Sequence, residues 1–514
     1  MFYTKGVSVM KKAVSVLLAL IMVLSLAVPA FAEGTTNNYP IIVIGGREKS
    51  VPIYDTEGNR VNDTDVSTEF VADAVMNCLP YLLAAEKTGD YQPWIDKVME
   101  YYAPIYEKML PDENGEITDG SRPENISDGS HCYKGYNGYD YVFRYDWRQD
   151  PYAQADFLHD NIQYIKSLKG VDKVSLVGRC YGGVIIGAYL DKYGSDDICS
   201  VLFNSCATLG AEAAGCCFSN NIYFDINAIE SYCEMDSLTG EPELDGIILS
   251  TLKFLNSFYI ETGEKGTITE IERKLYTKIA PALFQCSFGR YASFWGMVST
   301  EYFDDAKAII FNTDEAREKY AGLIEKIDRY HEFQLNFEDK IAELKKQGVT
   351  FAAVANYNRV LSPIVKNPKM QSDDTVDLYH ASFGAIVADF DSVLDVKGRE
   401  NDPYISSDRI IDASTCTFPE RTWFIKDHPH SNVSAPIDRM IVKICKDAAF
   451  NVNSDENYPR FMEWNNTEKV LSALDDEPIA VREKTKFEKI IDIIKNAINF
   501  IKTIFSFINS KIAE

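Results

Sequence analysis

Histidine is scarce in this chain, with six among 514 residues, so any chemistry that needs an imidazole has few candidates. Basic charge is short as well: 52 Lys+Arg stand against 77 Asp+Glu, for a net charge of −25. A surface of that sign lacks the basic patches that grip phosphate backbones, which argues against a nucleic-acid partner. Past residue 32 no apolar run reaches the ~18 residues that would cross a bilayer. No metal-ligand motif, nucleotide-binding glycine loop, internal repeat or low-complexity tract is present, so no cofactor is implied. Core material, by contrast, is plentiful: 46% apolar and 12% aromatic residues exclude global disorder. The length allows several domains of ~150 residues, or one large α/β domain with insertions.

The N-terminus follows an export pattern. Lys11 and Lys12 precede an apolar run from Ala13 to Val28, which ends in Ala30-Phe31-Ala32 before Glu33. That order of basic, apolar and small residues is expected of a secretory signal peptide over residues 1–32, and it predicts a secreted protein.

Beyond it, continuous apolar runs alternate with helical periodicity. Pro40-Ile-Ile-Val-Ile44 reads as a buried strand delivering the glycine turn Gly45-Gly46-Arg47. Helical spacing covers 66–110 and 155–168, and strands are predicted at 139–145, 173–177 and 198–203. A helix over 181–193 follows the third of these runs directly. Such alternation predicts a mostly parallel sheet with helices on both faces. It stops at residue 210, where an aromatic-rich helical stretch runs to 347, and strand-like runs resume at 349–354 and 421–425. We therefore expect a core from 33–209 and 348–470, with 210–347 inserted as a helical cap or lid.

The central signal is Gly178-Arg179-Cys180-Tyr181-Gly182-Gly183, set between a buried strand and a helix. It matches the nucleophile-elbow pattern G-x-S-x-G with cysteine at the serine position. The elbow demands strained backbone at the nucleophile and glycine two residues to either side, so that strand and helix approach without colliding Cβ atoms. The helix N-terminus favours a thiolate there. A nucleophile needs a base, and the base an orienting acid; in the fold that carries this turn they follow in the order nucleophile, acid, histidine. His131 and His159 precede Cys180, His331 falls in the cap, and His380 stands too close to the acid. His428 and His430 remain, with His430 favoured. The acid is expected at Asp373 in Ser372-Asp373-Asp374-Thr375-Val376, with Asp374 as the fallback. The backbone N–H groups of Tyr181 and Arg47 are the expected oxyanion donors.

These segments resemble the α/β-hydrolase superfamily, and within it the lecithin:cholesterol acyltransferase-like lipases and acyltransferases. The likeness is carried by Pro40-Ile-Ile-Val-Ile-Gly-Gly, Tyr145-Asp146-Trp147-Arg148-Gln149-Asp150-Pro151, the elbow, the acid loop and His430-Ser-Asn-Val433. It implies an α/β-hydrolase fold and an acyl-enzyme mechanism on an acyl ester or lipid substrate. The family has histidine and serine where this chain has Arg179 and Cys180. A thioester is attacked readily by amines, thiols and alcohols, so the exchange raises acyl transfer relative to hydrolysis, or signals lost activity. In the latter case the cleft would bind a lipid or hydrophobic ligand without turning it over.

Two features stand apart. Residues 486–514 form an amphipathic pattern with Ile490, Ile494, Ile498, Ile501, Phe505 and Ile508 on one face. It predicts a C-terminal helix that docks on the body or lies on a membrane surface. The 11 cysteines are odd in number, and a free Cys180 leaves ten that can pair; a reducing habitat would leave them all free.

Overall fold

The computed structural model describes residues 37–46, 51–62, 68–124, 132–222, 267–361, 369–390 and 392–474, with single positions between them. The segment 1–32 that the sequence reads as a signal peptide, Arg47, His131 and the C-terminal segment 486–514 lie outside the described residues.

Nine strands form one sheet: β1 Ile41–Ile44, β2 Cys132–Lys134, β3 Tyr141–Phe143, β4 Val174–Cys180, β5 Ile198–Cys206, β6 Thr350–Tyr357, β7 Thr422–Lys426, β8 Phe461–Asn465 and β9 Val470–Ala473. Their order is β9-β8-β7-β6-β5-β4-β1-β3-β2. Seven inner strands run parallel, and β2 and β9 close the edges antiparallel. This is the mostly parallel α/β architecture, with helices on both faces, that the alternating sequence pattern predicts.

Period-two alternation explains how a sheet with so few polar positions is covered twice. Ile42 and Ile44 of β1, with Leu176 of β4 and Phe203 of β5, face helices α3 (Pro151–Lys169) and α4 (Gly182–Tyr193). Ile41, Val43, Val177 and Leu202 face the opposite way, onto Ile437, Met440 and Ile441 of α11 (Ala435–Lys446). Each such aliphatic chain taken wholly from water contributes about 1.5–3 kcal/mol. Helix α3 starts where Asp150 caps it through Ala153 N–H and ends at Gly170 in a left-handed turn.

Between β5 and β6 the chain leaves the sheet and builds a helical insertion. It includes α5 (Glu212–Phe218), α6 (Thr267–Gln285), α7 (Phe303–Ile310), α8 (Ala321–Leu335) and α9 (Phe337–Lys346). Its interior is aromatic, with Phe218, Phe284, Trp295 and Phe303 in one cluster. Helices α1 (Thr68–Thr88) and α2 (Gln92–Tyr106) fall within the 33–209 core range of the sequence reading but pack on the insertion. Cys78, Ala85 and Trp94 share a cluster with Ile279 of α6. Helical periodicity marks an apolar face but not its partner, so this assignment could only come from tertiary packing. Strands β2, β8 and β9 went unread: they are short, and β8 shows only Met462 and Trp464 as buried apolar markers. The nine cysteines described at side-chain level are free thiols. A single turn, α10 (Leu378–Ala381), completes the elements that matter for the site.

Candidate active site

Cys180 ends β4 with φ at 52°, in the left-handed region that costs a non-glycine residue about 1–3 kcal/mol. The glycines around it show what holds the chain there. A Cβ on Gly182 would stand 2.1 Å from the Ile44 carbonyl oxygen, and one on Gly178 3.0 Å from the Gly183 nitrogen. Strand, elbow and helix therefore close only with glycine at both flanks. Gly46 completes the setting: a Cβ there would come 3.0 Å from Cys180 Cβ and 3.4 Å from its Sγ. The first glycine turn thus lies directly against the nucleophile, although its next residue, Arg47, is outside the described residues. Tyr145 steadies that turn by donating its hydroxyl to the Gly45 carbonyl at 2.9 Å.

The loops after β6 and β7 bring the acid and the base to the same end of the sheet. Asp373 is fully buried, and its Oδ1 accepts the N–H groups of Thr375 at 3.1 Å and Val376 at 2.8 Å. Its Oδ2 lies 2.7 Å from His430 Nδ1, and its backbone carbonyl accepts His430 N–H at 2.9 Å. With Nδ1 engaged, Nε2 is the nitrogen left for Cys180, which lines the same cavity. Burial alone would push the thiol up and the imidazole down. The mutual charge and hydrogen bond of the two groups outweigh it: His430, also facing Asp373, rises well above its ordinary value, and Cys180 falls below its own. The Tyr181 backbone N–H adds to the fall of Cys180. Thiolate and imidazolium thus favour each other as a pair.

The remaining candidates have other partners. Asp374 turns to Arg359 Nε at 2.8 Å and takes a left-handed backbone with φ at 80°. His428 is buried beside Asn356, whose Nδ2 lies 3.2 Å from its Nδ1, and meets the Trp464 ring edge-on. Burial pushes its pKa down to about 4, so it is neutral at physiological pH. His159 stacks on Tyr193 and His331 on Phe303. His380 pairs with Asp377 at 2.7 Å. Arg179, at the position before the nucleophile, points away to an ion pair with Asp438 on α11. The Tyr145–Pro151 segment is a strut: Arg148, fully buried, holds both Asp146 carboxylate oxygens and Ser121. Its Trp147 packs on Tyr291 of the insertion.

In front of Cys180 and His430 lies a cavity of ≈ 560 Å³. Its walls come from α5 (Ala213, Phe218), α6 (Leu283, Phe284) and the segment that follows α6 (Phe288, Phe294). Tyr102 of α2 closes it from a region 78 residues before the elbow, a contribution the sequence reading missed. Cys206 is the register partner of Cys180 across β4 and β5, and burial holds its pKa well above the ordinary thiol value. Among the described residues no group of three or more His, Cys, Asp or Glu could hold a metal ion. The arrangement suits acyl transfer: a thiol on an elbow, an imidazole held in one tautomer, a backbone donor and an apolar slot.

The chain matches no protein-family model and no curated protein. Among solved structures, a chain of the crystal structure of the Tle4–Tli4 complex is similar at 13% sequence identity and a TM-score of 0.22. The match covers 62% of this chain and 75% of that one. A likeness this slight carries no argument; the fold assignment rests on strand order and elbow geometry.

Proposed function

We propose that this protein is a lipase-like acyl-ester hydrolase or acyltransferase working through a cysteine-bound acyl enzyme. The observation that carries the reading is Cys180 on a strained elbow, sharing with His430 the wall of an apolar cavity. The Cys180 thiolate attacks the ester carbonyl, and the tetrahedral oxyanion is held by Tyr181 N–H and a donor from the Gly45–Arg47 turn. Collapse breaks the C–O bond, and the His430 imidazolium gives its proton to the leaving alkoxide. Water or another acceptor then loses a proton to His430 as it attacks the thioester, which frees Cys180. Asp373 keeps the imidazole in the required tautomer throughout. The cavity selects an apolar acyl chain, in keeping with a lipid-like substrate. Export through residues 1–32, a lid role for the insertion 210–347, and membrane-surface contact through 486–514 belong to the same proposal.

A panel of p-nitrophenyl esters of increasing chain length, run on wild type, Cys180→Ser and Cys180→Ala, tests it. Turnover of apolar acyl esters by wild type and its loss in Cys180→Ala are expected. Equal turnover by wild type and Cys180→Ala would refute the catalytic reading. Apolar-probe binding without turnover in any variant would favour a silent ligand-binding protein.

A further inference from the structure

Behind one wall of the cavity stands a second imidazole–carboxylate pair that the chemistry does not use. Asp377, fully buried, caps the single turn α10 by accepting His380 N–H at 3.0 Å. His380 Nδ1 lies 2.7 Å from Asp377 Oδ1 and 2.9 Å from Oδ2. The same Oδ2 accepts the backbone N–H of Glu212, the first residue of α5, at 2.8 Å. Glu212 is buried in turn, and its Oε1 accepts Tyr302 Oη–H at 2.7 Å and Cys216 Sγ–H at 3.3 Å.

One point therefore fixes two pieces of the cavity wall and, through Glu212, an element outside it. Helix α5 presents Ala213, Ala214, Cys217 and Phe218 to the cavity, and its N-terminus hangs on Asp377. Thr375 and Val376, also at the cavity, immediately precede Asp377. Tyr302 ties in the start of α7. The charged groups facing His380 are Asp377, Glu212 and Glu301. Burial pushes the imidazole down, but these acids carry its pKa above the ordinary value. An imidazolium is what allows the buried carboxylates of Asp377 and Glu212 to stand together, since an unpaired buried charge is costly.

We infer that Asp377 and His380 are positioning residues that set the α5 wall of the cavity and thereby the length of acyl chain it accepts. The inference rests on the acyl-cavity reading of the site and extends it to substrate selection. Without the pair, the Glu212 end of α5 loses its anchor and the apolar slot loses its shape, while the elbow, His430 and Asp373 keep their own contacts.

The test uses the full chain as wild type, His380→Leu and the conservative His380→Gln, which keeps a donor for Asp377. Acylation is followed with p-nitrophenyl acetate and p-nitrophenyl palmitate, and occupancy with Nile red, an uncharged apolar dye; thermal melts establish that each variant is folded. For His380→Leu, kcat/KM should fall about tenfold or more with palmitate through KM, and about threefold with acetate, the scale of one lost buried hydrogen bond. Nile red affinity should fall with palmitate, and His380→Gln should recover most of both. If His380→Leu melts before assay, His380→Gln carries the test, with a smaller split in the same direction. Parallel losses on both esters, or no loss on either in a folded variant, overturn the inference. If wild type acylates with no ester, the enzyme reading fails while dye binding still decides the wall: an unchanged dye affinity in His380→Leu overturns it, and a weakened one supports it.

Discussion

Two imidazole–carboxylate pairs are held by one short stretch of this chain, Asp373–His430 and Asp377–His380, and burial does not tell them apart. In each, the imidazole keeps 13% of its side-chain surface exposed and the carboxylate none. In each, Nδ1 meets the carboxylate at 2.7 Å. In each, burial lowers the imidazole pKa, and neighbouring charges and hydrogen bonds together raise it further than burial lowers it. The difference lies in what surrounds the rest of the ring. His430 has Cys180 for a charged neighbour and faces the cavity, while His380 has Glu212 and Glu301 for charged neighbours behind the cavity wall. A perturbed histidine is thus a sign of a carboxylate nearby; a nucleophile and an empty volume must be added before it signifies chemistry.

The comparison can be broken by mutation. His430→Ala should lower kcat on an activated ester by roughly 10⁴-fold or more, the scale seen when a triad base is removed, against the about threefold acetate effect expected at His380. Parallel steady-state kinetics of the two variants would settle the contrast, and equal losses would erase it. Asp373→Asn should cost about 10⁴-fold in kcat by favouring the wrong imidazole tautomer. Asp377→Asn should instead appear mainly in KM for long chains, which chain-length profiles of both variants would reveal.

His428 sharpens the point from another side, because it lies two residues from His430 and moves in the opposite direction. Its folded-state pKa is pushed down to about 4 from 6.5, so between those values the unfolded chain takes up the proton first. Stability is then whole above pH 6.5 and falls as pH drops toward 4, by about 3 kcal/mol. His428→Asn should flatten that part of the pH dependence, read by denaturant unfolding at pH 7 and pH 4.5. The smallest effect is kinetic. Iodoacetamide should alkylate Cys180 ahead of the other described thiols at pH 7, since its pKa is lowered while those of Cys78, Cys199, Cys206, Cys217, Cys286, Cys416 and Cys445 are raised. His430→Gln should remove that preference and His380→Gln should keep it, as peptide mapping of the labelled protein would show.

The elbow was legible because its pattern is local in sequence: Gly178 and Gly182 stand two residues to either side of Cys180, and a strand and a helix flank the turn, although the contact that requires Gly182 is the Ile44 carbonyl of β1. Asp373 and His430 could be sought because parallel strands carry their functional loops at one end of the sheet in chain order. The cavity was not legible. It needs Tyr102 of α2 to meet α6 and Ser287, and nothing in the periodicity of α2 names those partners. Glu212 and Asp377, 165 residues apart, likewise become neighbours only when α5 docks against the loop that carries Asp373. Arg179 shows the converse. Placed beside the nucleophile in sequence, it turns through the sheet to Asp438 and Tyr139, away from the cavity.

The central claim is a covalent acyl bond to one sulfur, and intact-mass spectrometry with peptide mapping addresses it directly. The full chain would be mixed with p-nitrophenyl palmitate and quenched rapidly in acid. The account predicts an added palmitoyl mass located on Cys180 and absent from Cys180→Ala. An adduct on any other residue, or no adduct together with undiminished turnover in Cys180→Ala, would contradict it.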